Sequence, residues 1–257
     1  KRLTATASGL TAAVSSTFTI SAATTVLQEW THESDFGESS AAVAMDGSYM
    51  FVADNEDESL RLYARQPGTS CTAPVYTFAA RPFLDLDSTN PEADLEAAAK
   101  SGTRIYWLGS HSHSTGGNVR TNRYRLFATD VTGNGSGSPP YSLAYAGRYD
   151  HLRTDLAAWD RNNGHGLGSN YFGLAASTNA GVLPEGTNGF NIEALAIAPD
   201  GTNAWIGFRA PLVNGGGPTT NGAARTHALI VTLKNLPALV AGSPTTGPGT
   251  AQFGQAI

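Results

Sequence analysis

A strand, a tight turn and a second strand recur along this chain, and this repeat constrains the fold more than any other feature. The copies begin near Ser39, Glu96 and Glu193. In each copy, alternating small residues lead into a turn such as Asp46-Gly47 or Pro199-Asp200-Gly201, and an apolar strand follows. Repeats of this kind are typical of a β-propeller, whose blades are four-stranded sheets of about 40–50 residues.

The spacing of the copies indicates the size of the propeller. The second interval is roughly twice the length of one blade, which favours a degenerate copy near residues 155–159. The sequence therefore predicts an all-β chain with about four to five blades over residues 24–257. A two-sheet sandwich also has short strands and frequent turns, but it does not explain a carboxylate repeated before each small-residue strand. An arc ending at Ile257 would leave an open strand edge, so we expect a C-terminally truncated ring.

The first residues form a separate pattern. Residues 3–7 and 14–20 alternate around a turn at Ser8-Gly9, which predicts a β-hairpin. This hairpin resembles the closing strands of bacterial Ig-like modules. We therefore interpret residues 1–23 as a remnant of such a module or a linker.

Composition excludes several classes of function. The chain has 16 Lys and Arg against 21 Asp and Glu, a net charge of −5, which argues against nucleic-acid binding. No stretch approaches the roughly 18 apolar residues of a membrane span. The single cysteine, Cys71, excludes an intrachain disulfide and lies between prolines in a predicted connector, where we expect a structural role.

Acidic residues recur where the predicted inner strands begin. The first strand of each blade lines the channel of a propeller, so Glu96 and Glu193 are expected to converge, with Asp94 on the same face as Glu96. Asp54 and Glu56 form a second acidic cluster after an apolar strand. Ca²⁺ accepts six to eight such oxygen ligands, so Ca²⁺ is the candidate cofactor and these five residues are its candidate ligands.

Two alternatives to a metal site remain open. Glu96 and Glu193 could instead accept hydrogen bonds from neighbouring blade amides, or pair with Arg104 and Arg209, and so hold the blades in register. The Asp54–Glu56 cluster could be an ordinary solvated turn.

A histidine pair supplies weak candidates for catalysis. His111 and His113 alternate after an apolar strand, so on an extended chain they would share one face. Local hydrogen bonding is the other use of such a pair. No nucleophile elbow occurs in the sequence. The catalytic candidates are therefore His111 and Glu193, in a calcium-dependent hydrolase of phosphoesters or lactones.

The order of four short motifs resembles a known family. The motifs are Val52–Asp57 with Leu60–Tyr63, Asp94–Glu96 with Ile105–Ser112, Asn122-Arg123 with Leu126-Phe127, and Gly189–Ala196 with Ile206–Pro211. Together they resemble the secreted bacterial propeller family known as domain of unknown function 3616. The family has Gly where Ala97 and Ala194 stand, a departure that leaves the strand assignment intact.

The resemblance implies a fold, a cellular location and partners for the protein, and it implies no activity. It implies a propeller fold and an extracellular or cell-surface location. The family pattern continues past Ile257, so the missing C-terminal part of the protein is one expected partner and an unknown extracellular ligand or protein is another. The favoured function is a binding or scaffold module whose carboxylate-lined channel holds Ca²⁺, and the calcium-dependent hydrolase is the alternative.

Overall fold

The computed structural model describes residues 4–5, 13–14, 39–65, 73–215, 217–219, 224–241 and 249–256. The N-terminal pair is β1 (Thr4–Ala5) and β2 (Ala13–Val14), which are antiparallel. The rest of the predicted Ig-like remnant lies outside the described residues, as does Cys71.

Three four-stranded antiparallel sheets make up the body of the described chain. Each is a meander of four strands that are consecutive in sequence. The first sheet contains β3 (Ser39–Ala44), β4 (Tyr49–Asp54), β5 (Ser59–Ala64) and β6 (Tyr76–Ala79). The second contains β7 (Leu95–Ser101), β8 (Arg104–Gly109), β9 (Leu126–Gly133) and β10 (Tyr141–Tyr149). The third contains β11 (Asn191–Ile197), β12 (Ala204–Ala210), β13 (Ile230–Leu233) and β14 (Phe253–Ala256).

The predicted strand pairs and the β-rich class are therefore confirmed. Helices are few, namely α1 (Arg81–Leu84), α2 (Leu152–Arg161), α3 (Leu174–Ser177), α4 (Leu236–Leu239) and the 3₁₀ turn Thr121–Arg123. No described helix has the length and apolar character needed to cross a bilayer.

One predicted strand is wrong. Residues 155–159, interpreted as a degenerate blade, belong to α2. Leu152 and Leu156 are fully buried and four residues apart, so they lie on one face of a helix. Besides the β1–β2 pair, the described residues thus form three four-stranded sheets and no closed ring, where the sequence predicted four to five blades.

The three sheets pack against one another through two apolar cores. One lies between the first and second sheets and includes Phe51, Leu62 and Trp107. The other lies between the second and third sheets and includes Leu126 and Ile206. The first strands of the sheets are neighbours, with β7 in contact with both β3 and β11. This arrangement brings the N-terminal ends of three inner strands into one region.

Candidate functional site

Each inner strand carries a β-bulge at the same place. The pairing of β3 with β4 skips Ser40, the pairing of β7 with β8 skips Glu96, and the pairing of β11 with β12 skips Glu193. A bulge leaves one residue out of the ladder and redirects its side chain, and bulges are frequent beside functional sites. All three bulge residues line the same pocket, of about 290 Å³.

The pocket wall is rich in carboxylates. Glu96, Glu193 and Asp94 line it as the sequence predicts, and Glu92 and Glu185 add two more acidic side chains. The remaining lining residues are Ser40, Asn55, Ser112, Thr115, Arg123, Pro184, Asn191 and Arg209. Five carboxyl groups therefore face two guanidinium groups, an excess that favours a positively charged ligand.

Glu96 is the least compensated of these carboxylates. Burial, then the nearby charges of Asp94 and Glu193, raise the pKa of Glu96 to about 7. The hydroxyl of Ser40 donates a hydrogen bond to it, which acts in the opposite direction. The expected partner Arg104 instead binds Asp130 across β8 and β9, at 2.8 and 2.9 Å, so the prediction of a Glu96–Arg104 pair is wrong.

Arg123 holds the inner end of the pocket together. Its Nη1 lies 2.8 Å from Asp94 Oδ2, and its Nη2 donates to both oxygens of Glu92 at 3.0 and 3.1 Å. Nη1 also donates to Ser112 Oγ at 2.9 Å. A Cβ at Gly109 would lie 2.6 Å from the carbonyl oxygen of Arg123, so only glycine permits this close approach.

Arg209 and Asn191 both bind Glu193. Arg209 Nη1 donates to Glu193 Oε1 at 2.9 Å, which confirms the predicted Glu193–Arg209 pair. Asn191 Nδ2 donates to the same oxygen at 3.1 Å. Asn191 is only 6% exposed, and its Oδ1 has no hydrogen-bond partner.

The second acidic cluster lies outside the pocket. Asp54 is buried at the end of β4, where Arg61 Nη1 donates to it at 3.3 Å and the amide of Glu56 at 3.0 Å. The Glu56 side chain is exposed. The side chains of these two candidate ligands therefore do not line the pocket of Glu96 and Glu193, although Asn55 between them does.

The two histidines are buried away from the pocket. The chain leaves β8 at Gly109, and His111 adopts a φ of 54°, so the expected shared strand face is absent. His111 is fully buried, and burial lowers its pKa to about 3. Its Nδ1 donates to the carbonyl oxygen of Gly109 at 2.8 Å.

His113 belongs to a buried network with Arg153 of α2. Its Nδ1 donates to the carbonyl oxygen of Val182 at 3.1 Å, and its Nε2 accepts from Arg153 Nη2 at 2.8 Å. Arg153 also donates to the carbonyl oxygen of His111 and lies 4.5 Å from the ring centroid of Phe190. Hydrogen bonding within the protein is thus the observed use of both histidines, local for His111 and long-range for His113. The network fixes the loop that carries Ser112 to the pocket wall.

Sequence reasoning missed Glu92, Arg123 and Asn191 as site residues. A signal existed for Asn191, which precedes Glu193 by two positions as Asp94 precedes Glu96. For Glu92 and Arg123 no such repeat exists, because both reach the pocket from segments between strands, Arg123 from the 3₁₀ turn Thr121–Arg123.

Comparison with known families identifies part of this region. Residues 39–124 match the model of the family described as protein of unknown function (DUF3616). The resemblance predicted from the motifs is therefore confirmed over that segment. The DUF3616 segment contains the first sheet, β7, β8 and the pocket residues through Arg123, whereas Asn191, Glu193 and Arg209 lie beyond the match. The curated proteins contain no significant match to this chain.

Proposed function

We propose that this protein is an extracellular or cell-surface binding or scaffold module whose acidic pocket binds Ca²⁺. The observation that carries the proposal is the convergence of Glu96 and Glu193, redirected by equivalent bulges, on one pocket that Asp94 also lines. The location rests on the resemblance of the sequence motifs to a secreted bacterial family; the DUF3616 match supports the family resemblance over residues 39–124.

The donor set suits a hard cation. Arg123 pairs with Asp94 and Glu92, and among the described residues no arginine forms a salt bridge with Glu96. The buried Oδ1 of Asn191 offers a further oxygen that lacks a hydrogen bond. Carboxylate, amide and water oxygens are the ligands that Ca²⁺ combines at flexible geometry.

Water must contribute to this coordination. Within the described part of the chain, no group of three or more His, Cys, Asp or Glu is close enough to hold a metal by itself. We therefore place Ca²⁺ between Glu96, Glu193 and the amide oxygen of Asn191, with water completing the shell.

Addition of CaCl₂ is expected to raise the melting temperature of the protein, and EDTA is expected to reverse the rise. A ligand at 100 times its Kd stabilises the native state by about 2.7 kcal/mol, or roughly 5–10 °C for a domain of this size. Glu96→Gln and Glu193→Gln should remove most of the rise, because each deletes a charged ligand. Differential scanning calorimetry gives the readout.

Glu56→Gln is the matched control, since it makes the same acid-to-amide change on an exposed side chain outside the pocket. It should leave the calcium response unchanged. An absent calcium response in the parent protein, or an equal response in all four proteins, would reject calcium binding at this pocket.

The propeller is the architecture that we propose for the whole domain. Consecutive four-stranded meanders with their first strands side by side support it. A closed ring requires further blades. We propose that an extracellular partner supplies them.

A calcium-dependent hydrolase of phosphoesters or lactones is the second candidate. The pKa of Glu96, raised by burial to about 7, favours this candidate, because a carboxyl group that titrates near neutrality can act as a general acid or base. The buried, neutral His111 does not support the proton-transfer role predicted for it.

A screen of phosphoester, lactone and carboxylic ester substrates tests this second candidate. We expect Glu96→Gln and Glu193→Gln to reduce any turnover by at least about 100-fold, whereas His111→Ala should change it only as far as it changes stability. Equal turnover in the parent and both carboxylate variants would exclude catalysis at this pocket.

A further inference from the structure

Arg209 occupies the mouth of the acidic pocket in an unusual backbone setting. The ladder between β11 and β12 pairs Asn191 with Ala210 and Ile192 with Phe208, so Arg209 is itself skipped. Its Nη1 donates to Glu193 Oε1 at 2.9 Å, and its Nη2 lies 3.5 Å from Glu185 Oε1. A bulged arginine thus faces the bulged glutamate of the neighbouring strand.

The two arginines of the pocket are held very differently. The Arg123 side chain is 16% exposed and bonds to Glu92, Asp94 and Ser112. The Arg209 side chain is 48% exposed, and its partners Glu193 and Glu185 are 37% and 61% exposed. Exposed ion pairs contribute little to stability, because water and salt screen them. Arg123 is therefore a fixed part of the wall, whereas Arg209 can leave Glu193 at small cost.

A bound metal ion and the Arg209 guanidinium compete for the same carboxylate. Glu193 Oε1 already accepts hydrogen bonds from both Arg209 and Asn191. A cation that coordinates this carboxylate would also be repelled by the positive charge of Arg209 a few ångströms away.

We propose that Arg209 is an internal competitor that occupies the cation-binding carboxylate and must leave Glu193 before Ca²⁺ coordinates it. This inference rests on the proposed function. It makes Arg209 a specificity-determining residue, since a monovalent ion attracts the carboxylates less strongly than a divalent ion and displaces the guanidinium less effectively.

Calorimetric titration of the full chain with CaCl₂ at low ionic strength tests the proposal. Arg209→Gln is expected to lower the Kd for Ca²⁺ by about tenfold, the combined effect of a lost exposed ion pair and a lost like charge. Arg209→Lys, which keeps the charge but loses the guanidinium fork, should give an intermediate Kd. Sodium chloride in place of CaCl₂ should give no heat above dilution in the parent protein.

Arg104→Gln is the matched control. It also removes one positive charge from a partly exposed arginine–carboxylate pair, but this pair lies on β8 and β9 outside the pocket. Its Kd should stay within about twofold of the parent value.

The outcomes separate the inference from the proposed function. Calcium binding by the parent, with an unchanged or higher Kd in Arg209→Gln, would overturn the competitor role and leave the calcium pocket standing. An absence of calcium binding in the parent and in both Arg209 variants would overturn both. Binding by Arg209→Gln alone would support the competitor role and overturn calcium binding by the parent protein.

Discussion

Replacing Asp160 by alanine is expected to lower the free energy of unfolding by about 3–5 kcal/mol. Asp160 lies near the C-terminal end of α2 and has no exposed surface. Its Oδ1 accepts from the amide of Phe172 at 3.0 Å and from His165 Nε2 at 3.1 Å, and its Oδ2 accepts from the amide of Leu174 at 2.9 Å. Alanine would leave these buried donors without an acceptor.

The loss of stability should extend to the pocket, because α2 also carries Arg153, which fixes the loop around Ser112. Urea denaturation measures the loss. Asp160→Asn keeps one acceptor oxygen and should lose roughly half as much. Asp130→Ala is the comparison, since the Asp130 side chain is 45% exposed and bonded to Arg104, and it should lose less than about 1 kcal/mol. A loss at Asp160 no larger than that at Asp130 would contradict the assignment of Asp160 as the anchor of this segment.

Glu58→Gln and Glu96→Gln are both expected to gain stability relative to the parent as the pH rises from about 4.5 to about 7. Burial raises the pKa of each carboxyl group from 4.5 to about 7. Glu58 has no exposed surface and is held by the amide of Ala93 at 2.8 Å and by Arg81 at 2.7 Å. A carboxyl group with a higher pKa in the folded state binds more protons there, so its contribution to stability declines as the pH rises through this window.

The free energy of unfolding, relative to the parent, is expected to rise by about 2 kcal/mol for Glu58→Gln and by about 1 kcal/mol for Glu96→Gln, whose side chain is more accessible. Both values lie below the upper limit of about 3 kcal/mol that the change in pKa sets. Comparison of urea denaturation at pH 5 and pH 8 provides the measurement. The free energy of unfolding of each variant is compared with that of the parent at the same pH, because His111 adds its own pH dependence to both proteins. Burial lowers the pKa of His111, so below pH 6.5 its contribution to stability changes in the opposite direction.

Asp87→Asn provides a control for this titration. A hydrogen bond from the amide of Thr89 lowers the pKa of Asp87. Titration of Asp87 should therefore change the stability only below about pH 4. Equal shifts for Glu58→Gln and Asp87→Asn between pH 5 and 8 would show that the buried carboxyl groups are not the source.

The sequence was informative about strands and less so about their irregularities. Alternation and turn residues predicted the pairs β3–β4, β7–β8 and β11–β12, because a half-buried strand has a period of two. Residues 155–159 repeat the acid-then-small pattern of an inner strand, yet Leu152 and Leu156 bury a helical face. A short pattern of small residues does not distinguish these periods until the surrounding core is known.

The sequence predicted the site only in part, because it does not show how the strands pair. The approach of Glu96 and Glu193 followed from the repeat, and their roles as metal ligands remain predictions. The bulges that aim them into the pocket were not predictable, because the strand register depends on pairing with another segment. Glu92 and Arg123 reach the pocket through loops whose course depends on close packing at Gly109.

At most strand positions a side chain must fit the packing of the sheets as well as any site that it lines. The equivalent bulges relieve three positions of the packing requirement. Ser40, Glu96 and Glu193 are skipped by the ladder and lie outside both apolar cores. We therefore expect a change of side chain there to preserve the strand register and the packing between sheets. Related proteins could thus acquire different ligand preferences by exchanging three side chains on an unchanged scaffold.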